Sequence, residues 1–114
     1  MCIRDRLHEA GIPIVAGTDG AGFELVREIE IYEQAGMSKA AALQTATINP
    51  ARLVGIDDRT GSITVGKEAD LVLVDGDVSE DLGALRRVLT VVSDGYVMDG
   101  DALRAAAGFS GMPR

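Results

Sequence analysis
Tryptophan is absent, and only two phenylalanines and two tyrosines occur among 114 residues. A core built from this chain must therefore be aliphatic, with alanine and glycine at the close contacts. The single cysteine, Cys2, excludes an internal disulfide and a cysteine-based zinc site, and it fits a reducing, cytoplasmic compartment. The single histidine, His8, excludes a histidine cluster and reads as a surface residue on a helix end. Basic residues are few: eleven Lys and Arg against eighteen Asp and Glu leave a net charge of −7. That balance argues against nucleic acid or an anionic membrane as partner, since both call for clustered cations. No apolar run approaches the roughly 18 residues of a membrane span, and the N-terminus lacks the apolar core of a signal peptide. Internal repeats and low-complexity segments are missing as well.

What is present is the composition of one globular domain, 46% hydrophobic and 25% charged. Met1-Cys2-Ile3-Arg4-Asp5-Arg6 resembles a translated sequencing-adapter tail, so residues 1–6 are expected to be a non-native leader and Cys2 to have no role. Leu7 to Ala10 followed by Gly11 reads as a helix end with glycine just past it. Ile12 to Ala16 is continuously apolar apart from Pro13, as in a parallel strand buried on both faces. Phe23 to Ala35 has Leu25, Val26, Ile29 and Tyr32 at helical spacing, and Gly36 stops it. Ser38 can cap a helix from Lys39 to Ala46. Asn49-Pro50 offers a further cap and first helical residue, with Gly55 as the stop. From Gly61 the pattern changes to a short strand piece, a Gly-Lys turn, the strand Leu71 to Val74, and a hairpin around Ser93-Asp94-Gly95. Ala102 to Ala107 is weakly helical.

A lone strand of parallel character leaves a row of backbone donors and acceptors unpaired on an apolar ribbon. The chain is therefore expected to be the end of something longer. The stretch Gly17-Thr18-Asp19-Gly20-Ala21-Gly22 has G-x-x-G-x-G spacing and an aspartate in its middle, which suits no phosphate loop. Asp75 to Glu80 opens with the ligand spacing of a calcium loop, but Glu80 stands where that loop needs glycine, so it reads as a solvated acidic turn and helix cap. Arg86-Arg87 and Asp57-Asp58 read as solvated charge. Asp19 is differently placed, just past the C-terminal end of a buried strand, where βα barrels gather their active sites. The same pattern would also serve a carboxylate that only shapes a turn or caps the next helix.

Three stretches in order bring in a family. The strand-end GTDG, the segment EQAGMSKAAALQTATINPARLVGI (Glu33 to Ile56) and GSITVGKEADLVLVDGD (Gly61 to Asp77) resemble the C-terminal part of the metal-dependent amidohydrolase superfamily. The helical segment is most similar to its imidazolonepropionase-like and prolidase-like branch, and VVSDGYVM resembles the family's last strand pair. The likeness runs over about residues 7 to 100.

The resemblance implies an α/β architecture: the last βα unit of a (β/α)₈ TIM barrel plus the C-terminal part of a small β-sandwich. Residues 7–60 would be the barrel end with strand eight at Ile12 to Ala16, 61–100 the share of the sandwich, and 101–114 a tail. It implies hydrolysis of amide, cyclic amide or peptide-like C–N bonds by a metal-activated water, with one or two divalent metals, zinc by expectation, in the complete enzyme. Asp19 would be both metal ligand and catalytic proton carrier. A divalent ion lowers the pKa of its water from about 15.7 to near 7, and a carboxylate in reach can move the proton. Glycines beside Asp19 let backbone approach metal and substrate without a Cβ in the way. The expected partner is a small-molecule or dipeptide-like substrate, with a homo-oligomer for the full-length protein.

The family's His-x-His, its bridging lysine and its later histidines have no counterpart here. One carboxylate does not hold a zinc that wants three protein ligands, so the chain alone is expected to be inactive. The rival reading is a free-standing, non-enzymatic acidic module that binds a partner protein. Upstream DNA separates the two: an in-frame continuation with His-x-His supports the hydrolase, whereas a genuine start site at Met1 supports the module.

Overall fold
The computed structural model describes residues 3–20 and 24–112. Its elements are helices α1 (Ile3–Glu9), α2 (Leu25–Gln34), α3 (Lys39–Gln44) and α4 (Ile48–Val54), then strand β1 (Leu71–Val74), a 3-10 turn (Leu82–Arg86), strands β2 (Val88–Ser93) and β3 (Tyr96–Asp99), and helix α5 (Gly100–Ala106). The chain is thus α/β, with helices first and one antiparallel sheet of order β1-β2-β3.

Local signals set the helix ends. After α1, the amide of Gly11 donates to His8 and that of Ile12 to Leu7, while Gly11 takes φ +74°. That pair of bonds closes orphan carbonyls and needs a left-handed residue, which glycine adopts without a Cβ clash. Gly36 and Gly55 end α2 and α4 with the same two bonds. The Ser38 hydroxyl accepts from the Ala41 amide at 3.1 Å and caps α3 as its position suggests. Of the residues read as a foreign leader, the described ones, 3–6, lie inside helix α1; Arg4 lies 5.2 Å from the centroid of the Tyr32 ring. Cys2 and the expected helix start at Phe23 lie outside the described residues.

The sheet follows its turn. Asp94 and Gly95 both have positive φ, 49° and 78°, the type I′ geometry whose twist suits a two-residue hairpin. It pairs Ser93 with Tyr96 and Val91 with Met98. Strand β1 pairs Leu71 with Val92 and Leu73 with Thr90, then slips a residue so that Val74 meets Val88. Asp70 ties the preceding loop down, accepting from Ser93 at 2.8 Å and from Thr60 at 3.3 Å.

Two expected strands are not formed. Ile12 to Ala16 joins no ladder, and neither does the stretch after Gly61, where Ile63 and Val65 are 90% and 103% exposed. A strand exists only through a ladder with a neighbouring strand, and the described residues supply no such neighbour at either place. The Asn49 expectation is also corrected: Thr47 holds the cap position of α4, and Asn49 lies inside the helix. The core sits between α2, α3 and the 3-10 turn, where Ile29, Tyr32, Met37, Ala42 and Leu82 are buried together, with Ile14, Ala16, Val78 and Leu85 packed on them.

Candidate functional site around Asp19
Asp19 is exposed at a bend that follows the irregular stretch 12–18. That stretch is anchored although it has no ladder. The Asn49 side-chain amide donates to the Ile14 carbonyl at 3.0 Å, and the Ala16 amide donates to the Thr45 carbonyl at 2.7 Å. Ile14 and Ala16 turn the same stretch into the core. Thr45 is fully buried, and its hydroxyl donates to Ala42 at 2.6 Å, so the accepting carbonyl belongs to a tightly held turn. Pinned on one edge and packed through Ile14 and Ala16, the stretch delivers a solvent-facing carboxylate at its end.

The far side of the loop leads into α2. Glu24, which the sequence reading passed over, folds its carboxylate onto Gly20: a Cβ added there would meet its Oε2 at 2.0 Å. The space over Gly20 is thus filled by an acidic side chain rather than by backbone. Ala21, Gly22 and Phe23, the rest of the glycine-rich stretch, lie outside the described residues.

Helix α2 is fixed by charge. Arg86 holds Glu30 through both guanidinium nitrogens, with Nη2 to Oε2 at 2.9 Å and Nη1 on Oε1, a fork that matches a carboxylate. This corrects the reading of Arg86-Arg87 as solvated charge, since Arg87 also donates, from Nε to the Asp75 carbonyl at 2.8 Å. The Arg86 hydrogen bond holds the Glu30 carboxyl below the usual range, against the opposing pull of burial.

Asp77 and Asp81 do structural work. The Asp77 carboxylate accepts from the Ser79 hydroxyl at 2.6 Å and amide at 2.8 Å, bonds that lower its pKa, and Asp81 caps the 3-10 turn at Gly83. The acidic-turn reading of that loop therefore holds. Lys67 of the Gly-Lys turn reaches back to the Asp57 carbonyl and to the Ser62 hydroxyl at 2.8 Å, closing the loop between them. His8 is exposed on α1. Among the described residues no three His, Cys, Asp or Glu side chains gather closely enough to hold a metal, so Asp19 does not make a metal site by itself. No helix among them is long and apolar enough to cross a membrane.

Comparison with known proteins gives this arrangement a context. The family model described as "Amidohydrolase family" matches residues 1–98. An imidazolonepropionase from Syntrophobacter fumaroxidans is 38% identical over 77 residues, covering 62% of this chain and 18% of that protein. A crystal structure of a putative prolidase from Bifidobacterium longum superposes with a TM-score of 0.76 at 37% identity, over 82% of this chain and 24% of that one. An adenosine deaminase from Xanthomonas campestris, solved with bound zinc, superposes with a TM-score of 0.68 at 30% identity, over 95% of this chain and 32% of that one. The chain thus spans about a fifth of the length of the curated relatives it matches and about a quarter of the first solved structures. Both branches expected from the helical segment, imidazolonepropionase and prolidase, are found. The chain belongs to the amidohydrolase family.

Proposed function
We propose that the chain is the C-terminal part of a longer metal-dependent hydrolase of C–N bonds, in which Asp19 supplies a carboxylate to the reacting centre. The observation that supports this most is the placement of Asp19: exposed, at the end of a pinned stretch, and followed in family order by the GM…ATINPA and GK-ADL segments. Residues 7–60 are proposed as the end of the barrel, with 12–16 taking its place as strand eight once neighbours are present. Residues 61–100 are proposed as the chain's share of a β-sandwich, 101–114 as a tail, and 1–6 as a non-native leader, although the family model matches from residue 1.

The described donor set does not complete a metal site, so the remaining ligands belong to other parts of the longer protein. A divalent ion, zinc by analogy with the zinc-bound deaminase, supplies Lewis acidity to water and carbonyl when bound. The Asp19 carboxylate accepts the proton of the attacking water and returns it to the departing nitrogen, which needs a group able to hold and release a proton within hydrogen-bond reach. Its solvent-facing position leaves room for a small amide, cyclic amide or dipeptide-like substrate. Expressed with its upstream sequence, the protein should hydrolyse a prolyl dipeptide or a cyclic amide, lose that activity on treatment with a chelator and regain it with zinc. Undiminished hydrolysis by metal-stripped protein would overturn the proposal.

In this division Glu30 and Arg86 join the barrel part to the sandwich part. The folded-state pKa of Glu30 is depressed, so the pair's stabilisation is fully present above the ordinary glutamate pKa and is lost as pH falls through the folded value. Both side chains keep some solvent contact, which limits the pair to about 1 kcal/mol. Glu30→Gln in the longer protein should cost about that much at neutral pH, and the difference from the native protein should vanish in acid, measured by denaturant unfolding at both.

A further inference from the structure
Asn49 stands in the first turn of α4, yet it makes no cap there. Its amide instead crosses 35 residues of chain to the Ile14 carbonyl, at 3.0 Å. Two residues on, the Ala16 amide is bound by the Thr45 carbonyl, at 2.7 Å. The two bonds flank Val15 in a recognisable way. In a parallel ladder, one residue of the neighbouring strand donates to the carbonyl before the residue it faces and accepts from the amide after it. Around Val15 those two roles are filled from a turn: Thr45 accepts with its backbone, and Asn49 donates with a side chain. A strand edge is imitated where no strand lies.

We propose that Asn49 is a positioning residue for Asp19, closing the edge of the stretch at Val15 and so setting where its end presents the carboxylate. The accepting half of the clamp is rigid, since Thr45 is fully buried and bonded to Ala42, itself fully buried. The donating half rides on α4, whose Ala51 is buried and packs so closely on Gly61 that a Cβ there would meet it at 2.7 Å. Ile14 and Ala16 are further held through the core. Among the described residues neither bond is backed by a ladder at this edge, so loss of the Asn49 donor leaves the Ile14 carbonyl unpaired and the stretch free to shift. Asparagine suits the role because its side chain presents an N–H donor that reaches the Ile14 carbonyl. Aspartate would set an acceptor against an acceptor.

The inference rests on the hydrolase reading of Asp19, and the test separates the two. In the longer protein, Asn49→Leu removes the donor at similar volume, Asn49→Asp removes it at similar shape, and Asn49→Gln keeps an amide. A displacement near 1 Å at a reacting group costs about 100-fold, so Asn49→Leu should lower kcat by about 10- to 100-fold with KM little changed, and Asn49→Gln should recover part of the loss. Residues that act as a unit are not additive, so Asn49→Leu should take nothing further from the residual rate of Asp19→Asn. A normal kcat for Asn49→Leu, or an added loss in the Asp19→Asn background, would overturn the proposal. So would collapse of both Asn49→Leu and Asn49→Asp in thermal melting, which would make Asn49 a residue of the fold alone. Full activity in Asp19→Asn refutes the reading of Asp19 itself, whereas an inert Asn49→Leu beside a dead Asp19→Asn refutes only the positioning role.

Discussion

Asp19→Asn in the longer protein should abolish hydrolysis while the fold survives. Asparagine keeps the outline of the side chain but cannot take a proton, and it is a poorer metal ligand. Loss of a general base alone costs about 10²- to 10⁴-fold, and weakened metal binding adds to that. The fold should tolerate the change because Asp19 is exposed and lies outside the buried cluster of Ile29, Tyr32, Met37, Ala42 and Leu82. Three measurements check it together: kcat, bound metal per chain, and melting temperature. Near-normal turnover would reduce Asp19 to a turn residue. A collapse in melting temperature would move its role from chemistry to structure.

The parts of this protein that could be read from its sequence are those decided within a few residues. Ser38 caps α3 because its hydroxyl needs only the amide three residues on. Gly11, Gly36 and Gly55 end their helices because a left-handed residue is a local requirement. Asp94-Gly95 folds the hairpin for the same kind of reason. What escaped was decided at a distance. Asn49 carries a cap signal, but its amide bonds a carbonyl 35 residues away. Arg86 sits in a charged pair that resembles solvated surface, and its partner Glu30 lies 56 residues earlier. Both expected strands at 12–16 and after Gly61 have the composition of strands and lack the neighbours that would make them so. For the site, the exposed place of Asp19 at the end of the stretch 12–18 was legible because apolar run, glycine and carboxylate are contiguous. The chemistry proposed for Asp19 rests on the family resemblance, since among the described residues no further donors gather with it.

Expressed alone, this chain should be inactive and should aggregate or remain molten, without stoichiometric zinc. The buried apolar set is small, and two of its members beyond the main cluster are alanines, Ala51 and Ala84. Against it stands a long array of exposed aliphatic side chains: Leu53 at 74%, Val54 at 66%, Ile63 at 90%, Val65 at 103% and Leu73 at 61%. Two of these, Val54 and Ile63, line one groove of about 650 Å³ between α4, the Gly61 loop and β1, together with Ile56, Leu71 and Val72 and little polar surface. Burying one Leu or Ile is worth roughly 1.5–3 kcal/mol, so leaving several in water forgoes an amount comparable to a domain's whole stability of about 5–15 kcal/mol. The outer edge of β1 adds unpaired backbone groups to the same apolar face, which invites pairing with other chains. The hairpin of β2 and β3 is local and should persist longest, giving residual strand signal without cooperative melting. Circular dichroism, analytical ultracentrifugation and metal analysis of the isolated chain would test this. A monomer with one sharp thermal transition and tightly bound metal would overturn it, because such a chain would have to satisfy the groove, the β1 edge and the metal from its own residues.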